Sequence, residues 1–204
     1  DNFVNALRRE IMRSEVQRMQ VLAIVLTVLL AATLCALNLM PEFSERMFRK
    51  TIEPWTPLAG VGPFVVYEWG ALMVLRWRMA RDLDFPRIAR FANALIETSL
   101  PSVVIFELSL HMEPATVLGF WPPMLYFVFI VLSTLRLDFW LSLWTGTVAA
   151  TQQFALAAYL MPIQLFSDLP EHSLVYHLSR SIVLLGAGVI AGIVAGSLRR
   201  QFQA

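Results

Sequence analysis

Charge is scarce in this chain: Asp, Glu, Lys and Arg make up 15% of its 204 residues, against 57% hydrophobic. A soluble domain carries roughly a quarter charged residues, so the deficit argues against one. Lysine is nearly missing. Its single copy, Lys50, sits between apolar runs, which excludes a retinal-type Schiff base inside the bilayer. Cys35 is the only cysteine, so an intrachain disulfide and a Cys-based metal site are both excluded. By type and position Cys35 reads as a small buried hydrophobe. There are three histidines, His111, His172 and His177. All are expected near one membrane surface, which excludes a bis-histidine haem held at matching depth within a bundle. No Gly-rich phosphate loop, nucleophile–base arrangement or dense basic patch is present, so phosphate cradling, hydrolysis and nucleic-acid binding are not expected. The chain opens on a charged, helix-prone run and lacks the short apolar core of a cleavable leader.

What fills the chain is apolar sequence, with a mean hydropathy of +0.62. A helix needs about 20 apolar residues to cross a bilayer. Six runs of that length are expected to be spans, at 20–40, 58–80, 89–112, 116–135, 139–161 and 175–198. Before them, Val4, Leu7, Ile11, Met12, Val16 and Met19 recur at helical spacing among Arg8, Arg9, Arg13 and Arg18. That pattern predicts an amphipathic helix over 1–19, lying at the membrane surface or leading into the first span. The fold class is therefore all-α: a polytopic membrane protein of six transmembrane helices over 20–198, with a cytoplasmic N-terminal amphipathic helix and an outgoing basic segment, 199–204.

Arginine and lysine placement orients the bundle. With six spans, twelve of these residues fall on one side, among them Arg76, Arg78, Arg81, Arg87 and Arg90 between spans 2 and 3. Four fall on the other. Both termini are expected on the cytoplasmic face of an inner membrane. Only Arg136, Leu137 and Asp138 separate spans 4 and 5, so these spans should form a tight hairpin with Arg136 and Asp138 at its cytoplasmic turn.

Ionisable groups inside a bilayer are functional candidates by default. Glu68, beside Tyr67, falls in the middle of span 2. Glu97, Glu107 and His111 fall in span 3, with Pro101 between them. Proline frees a helix carbonyl, which polar neighbours such as Thr98 and Ser99 can serve. Glu107 and His111, four apart, share a face if both are helical. One reading is a cavity lined by Glu68, Glu97, Glu107 and His111 that takes a cation, a proton or a small polar ligand. The other is that each carboxyl is protonated or paired and only fixes packing. A second polar group, Asp168, His172 and His177 with His111, offers ligands of the kind zinc or copper takes, without a tight ligand spacing. In span 6, Gly188, Gly192 and Gly196 recur every four residues, a pattern that lets two backbones approach within one subunit or across a dimer seam.

Several stretches resemble the membrane domain of bacterial six-span class III adenylate/guanylate cyclases. They are the run Leu7 to Glu15, the pair Tyr67 and Glu68, Ile96 to Pro101, Phe129 to Phe139, and Thr145 to Ala150, while the basic exit Ser197 to Ala204 looks like the start of a signalling helix. The resemblance implies a homodimer anchored in the bilayer and a cytoplasmic domain after Ala204. That domain would convert ATP to cyclic AMP and pyrophosphate with two divalent metals, Mg or Mn. None of its metal-binding or purine-selecting residues lies in this sequence, and no cofactor is expected in this segment itself. The same basic exit helix would equally suit a sensor bundle joined to a histidine kinase or a diguanylate cyclase. The buried acids would suit an ion or proton conduit.

Overall fold

A computed structural model describes residues 2–39, 53, 55–81, 83, 85–119, 121–161 and 173–201, with side chains described from residue 12 onward. Seven α-helices are found among them: α1 (Asn2–Leu39), α2 (Trp55–Ala80), α3 (Arg87–Ser109), α4 (Pro114–Gly119), α5 (Leu125–Ser133), α6 (Phe139–Leu160) and α7 (Leu174–Gln201). No strand occurs among the described residues.

α1 contains neither proline nor glycine, so nothing interrupts its hydrogen-bond ladder. The expected boundary between an amphipathic helix over 1–19 and a first span at 20 is absent; one helix of 38 residues runs through it. Its outward face carries Val21, Ile24, Val25, Val28 and Leu29, all exposed, as a lipid-facing stripe requires. Cys35 also faces outward, a correction to its expected burial.

Five helical stretches are long and apolar enough to cross a membrane: Met12–Leu39, Trp55–Ala80, Arg87–Ser109, Pro114–Arg136 and Leu174–Gln201. They match spans 1, 2, 3, 4 and 6 to within a few residues, apart from the earlier start of the first. This is the mark of a multi-pass membrane protein. The expected fifth span is α6, whose 22 residues reach about 33 Å at 1.5 Å each. Thr145, Thr147, Thr151, Gln152 and Gln153 dilute its apolar character, and it is not among the five. It is nonetheless central: α6 packs along α7 more extensively than any other pair, and also against α3 and α5.

The Pro114–Arg136 stretch is not one smooth helix. α4 ends at Gly119, Pro122–Met124 form a 3₁₀ turn, and α5 closes in a second 3₁₀ turn at Thr134–Arg136. Pro122 and Pro123 lack the N–H groups that an α-helical ladder would need there.

The short hairpin expected between spans 4 and 5 is present. Leu137 takes a left-handed conformation (φ 53°), reversing the chain at a cost of roughly 1–2 kcal/mol for a non-glycine residue. Asp138 then caps α6, its carboxylate accepting from the backbone N–H groups of Trp140 (3.0 Å) and Leu141 (3.4 Å). Asp138→Ala is expected to lower stability by about 1 kcal/mol, as lost N-caps do. Chemical or detergent denaturation would measure it, and an unchanged midpoint would show the cap to be dispensable.

The core has three apolar patches. Ile105, Val117, Tyr126, Ile130, Ala149 and Leu184 join α3 through α7. Leu22, Leu26, Leu100 and Phe129 join α1, α3 and α5. Met19, Leu72 and Leu75 join α1 to α2. Polar cross-links supplement them: Ser102 bonds Tyr126 (2.7 Å) and Gln152 (2.8 Å), and Gln152 donates to Ser99 (2.7 Å). Hydrogen bonds of this kind between membrane helices contribute on average about 0.6 kcal/mol each.

Candidate functional site

The most concentrated chemistry lies where α1, α2, α3 and the turn before α6 meet. Arg18 and Leu22 are four apart on α1, and Leu26 follows four later. The guanidinium therefore continues the inward-facing apolar stripe. On α3, Asn93 and Glu97 are likewise four apart. Arg136 enters from the 3₁₀ turn that ends the Pro114–Arg136 stretch. Arg18, Glu97 and Arg136 are each 3% exposed and Glu68 1%.

Glu97 is the hub. Arg18 meets it as a two-pronged fork, Nη1 to Oε2 at 2.8 Å and Nη2 to Oε1 at 2.9 Å. Arg136 Nη2 reaches Oε2 at 2.6 Å, and Asn93 Nδ2 donates to Oε1. Four donors fill the roughly four lone-pair sites of an ionised carboxylate. Around this hub, Arg18 Nε donates to Glu15 Oε2 (3.2 Å), Arg136 Nη1 to the Arg90 carbonyl (3.1 Å), and the Tyr67 hydroxyl to Asn93 Oδ1 (2.8 Å). Ser14 Oγ adds a tie from α1 to the Leu135 carbonyl (3.0 Å). Two buried guanidinium groups thus face three buried carboxyl groups, Glu15, Glu68 and Glu97. Glu68 Oε2 and Glu15 Oε1 have no hydrogen-bond partner among protein atoms.

This arrangement joins Tyr67, Glu68, Glu97 and Arg136 but separates them from the other residues singled out by sequence. Glu107 lies ten residues beyond Glu97 on α3, about 15 Å along the axis. There its carboxyl group lies against the backbone of Gly60 on α2, so closely that a Cβ on Gly60 would collide with it. α3 ends at Ser109, so His111 falls in the following turn and does not share a helical face with Glu107. A single cavity lined by Glu68, Glu97, Glu107 and His111 is therefore not formed.

Pro101 is buried within α3, and its missing N–H is the one that would serve the Glu97 carbonyl. The Thr98 and Ser99 hydroxyls bond instead to the carbonyls of Ala94 (2.7 Å) and Leu95 (2.8 Å), so they do not serve the carbonyl freed by the proline.

His177 is fully buried near the start of α7. Asp168 and His172 lie outside the described residues. Among the described residues no group of three or more His, Cys, Asp or Glu is placed to hold a metal ion.

The glycine pattern of α7 is used inside the subunit. A Cβ on Gly188 would sit 2.7 Å from the Cα of Gly146 on α6, and one on Gly146 would sit 2.6 Å from the Cα of Gly188. A Cβ on Gly192 would meet Phe139, its Cδ2 at 2.8 Å and its carbonyl oxygen at 3.0 Å. Gly196 has no neighbour within 4 Å of such a position. Of the two readings of the glycine pattern, close approach within one subunit is met at Gly188 and Gly192, both against α6.

Glu15, Arg18 and Asn93 were not anticipated as site residues. The available signal was the register of Arg18 with Leu22 and Leu26, which places the charge on the stripe that faces the bundle.

No family model, curated protein or solved structure matches the chain.

Proposed function

We propose that this chain is a membrane anchor and regulatory domain, with α6 as a sixth crossing and both ends on the cytoplasmic side of an inner membrane, and that it governs a nucleotide cyclase domain following α7. The observation that carries the reading is the hub at Glu97. It links α1, α3 and the turn before α6 at the same end of the bundle from which α7 departs with Arg199 and Arg200 in its last turn. The 3₁₀ turn holding Arg136 also packs against α7. A shift in the ion pairs would therefore reach the outgoing helix directly. The arginine asymmetry supports the orientation, and the resemblance of Leu7 to Glu15, Ile96 to Pro101 and Phe129 to Phe139 supports the cyclase. A ligand would act only through unequal affinity for two arrangements of the helices. Homodimerisation would use the outward face of α7, where Ile182, Gly186, Val189, Ile193 and Gly196 recur at helical spacing, because Gly188 and Gly192 are taken by α6.

The test is cyclic AMP production by the full-length protein in a cyclase-deficient bacterium. Wild type is expected to produce it, and Glu97→Gln to change its rate about tenfold or more, equivalent to about 1.4 kcal/mol. Absence of cyclic AMP, with accumulation of cyclic di-GMP or of a phosphohistidine instead, would replace the effector while leaving the regulatory reading. Cyclic AMP output unaffected by Glu97→Gln would reduce the domain to an anchor. The partner-free oxygen of buried Glu68 favours a second reading, conduction of protons or cations. Proteoliposomes decide it: flux abolished by Glu68→Gln supports conduction, and flux no greater than that of empty liposomes removes it.

A further inference from the structure

A second polar feature lies far from the ion-pair hub, between α5, α6 and the first turns of α7. A cavity of about 200 Å³ is lined there by Pro123, Met124, Phe127, Gln153, Arg180 and Val183, with Ser179 and Leu184 completing it. Its walls are chiefly apolar, and Met124, Phe127 and Val183 are exposed on the outer surface of membrane-spanning stretches. The cavity therefore opens sideways, toward lipid.

Among its polar groups one buried donor lacks an acceptor. Gln153 is 1% exposed, and its Nε2 has no hydrogen-bond partner. A buried amide N–H without a partner costs about 1–3 kcal/mol, which a bound acceptor would recover. Arg180 uses Nη1 on the Leu118 carbonyl (2.6 Å) and the Tyr176 hydroxyl (3.4 Å), and its guanidinium lies 5.4 Å from the Tyr176 ring centroid. No carboxylate among the described residues pairs with it. The Ser179 hydroxyl is spent on the Tyr176 carbonyl (2.7 Å). A group that is anionic and rich in acceptors at one end and apolar at the other would complement this lining. The volume is below the roughly 300–1,000 Å³ of a pocket that encloses a whole small molecule. It suits a head group whose tail stays in the bilayer.

We propose that this cavity binds the carboxylate of a single-chain, long-chain fatty acid entering from the lipid phase. A carboxylate offers a planar pair of acceptors that suits the guanidinium fork and the Gln153 amide. A phosphodiester with its glycerol and second chain is the bulkier fit. This site is independent of the Glu97 hub and of any effector domain.

The experiment is binding of radiolabelled oleate to the chain in nanodiscs of zwitterionic lipid, with the methyl ester and phosphatidylglycerol as competitors. Saturable binding is expected, competed by unlabelled oleate and by neither of the other two. Gln153→Leu removes the amide without opening a cavity and is expected to weaken binding at least about tenfold, the loss of one charge-assisted hydrogen bond. Arg180→Gln is expected to abolish saturable binding, and Arg180→Lys to retain part of it. Should Arg180→Gln fail to fold, Gln153→Leu and the ester decide alone. Equal competition by the methyl ester, or wild-type affinity in Gln153→Leu, would overturn the proposal. Preferential competition by phosphatidylglycerol would overturn it in favour of a phospholipid site.

Discussion

Glu97→Leu is expected to be among the most damaging single substitutions in the chain, lowering stability by about 3–5 kcal/mol. The reason is what it leaves behind. Arg18 and Arg136 both spend donors on the Glu97 carboxylate, and both are 3% exposed. Without it, two cations stay buried with one carboxylate contact between them, that of Arg18 to Glu15. Truncating one partner of a buried ion pair costs far more than replacing the whole set. Arg18→Met and Arg136→Met in the Glu97→Leu background are therefore expected to recover most of the loss. Glu68→Gln is the contrast: Glu68 Oε2 has no partner to lose, and the change should stay within about 1 kcal/mol of wild type. Thermal unfolding in one detergent reads all four proteins. If Glu97→Leu melts with wild type, the ion pairs do not hold the helices together.

The second large effect is expected at Gly188 and Gly146. An added methyl at either position would lie 2.6–2.7 Å from a backbone Cα of the facing helix. Backbone cannot rotate aside as a side chain can, so α6 and α7 must separate along their longest contact. Overpacking costs about 1–3 kcal/mol, and Gly188→Ala should fall at the upper end, with Gly188→Val beyond it. Gly186→Ala and Gly196→Ala meet nothing within 4 Å inside the subunit, so the melting of the monomer is expected to be unchanged or slightly raised through helix propensity. Melting temperatures that do not separate the two pairs would show that the helices adjust freely.

The two predictions rest on features that were unequally legible in the sequence. Apolar runs located the long helices, because length and hydropathy are local properties. The hairpin at Arg136 and Asp138 was legible for the same reason, since three residues leave few ways to reverse a chain. The partner of Glu97 was not. Arg18 is 79 residues away and lies within a run whose arginines suggested a surface helix. Only after α1 is seen to continue unbroken from Asn2 does Arg18 fall on the inner stripe. α6 was legible by length but diluted by polar residues that serve contacts, such as Gln152 to Ser99. The glycine spacing announced close approach without saying to what. Its complement is Gly146 on α6, where Ser142, Gly146 and Ala150 keep the four-residue spacing with small residues of three different types.

The continuity of α1 has a mechanical consequence. Arg18 is gripped by Glu97 and Ser14 is tied to the Leu135 carbonyl; from Ser14 back to Asn2 the helix extends about 18 Å at 1.5 Å per residue. The clamped turn acts as a fulcrum and the preceding turns as a rigid lever. A tilt of about 5° at the pivot would sweep the tip by about 1.6 Å over that length. A sub-ångström adjustment at Glu97 can thus be magnified into a displacement that a neighbouring protein surface would feel.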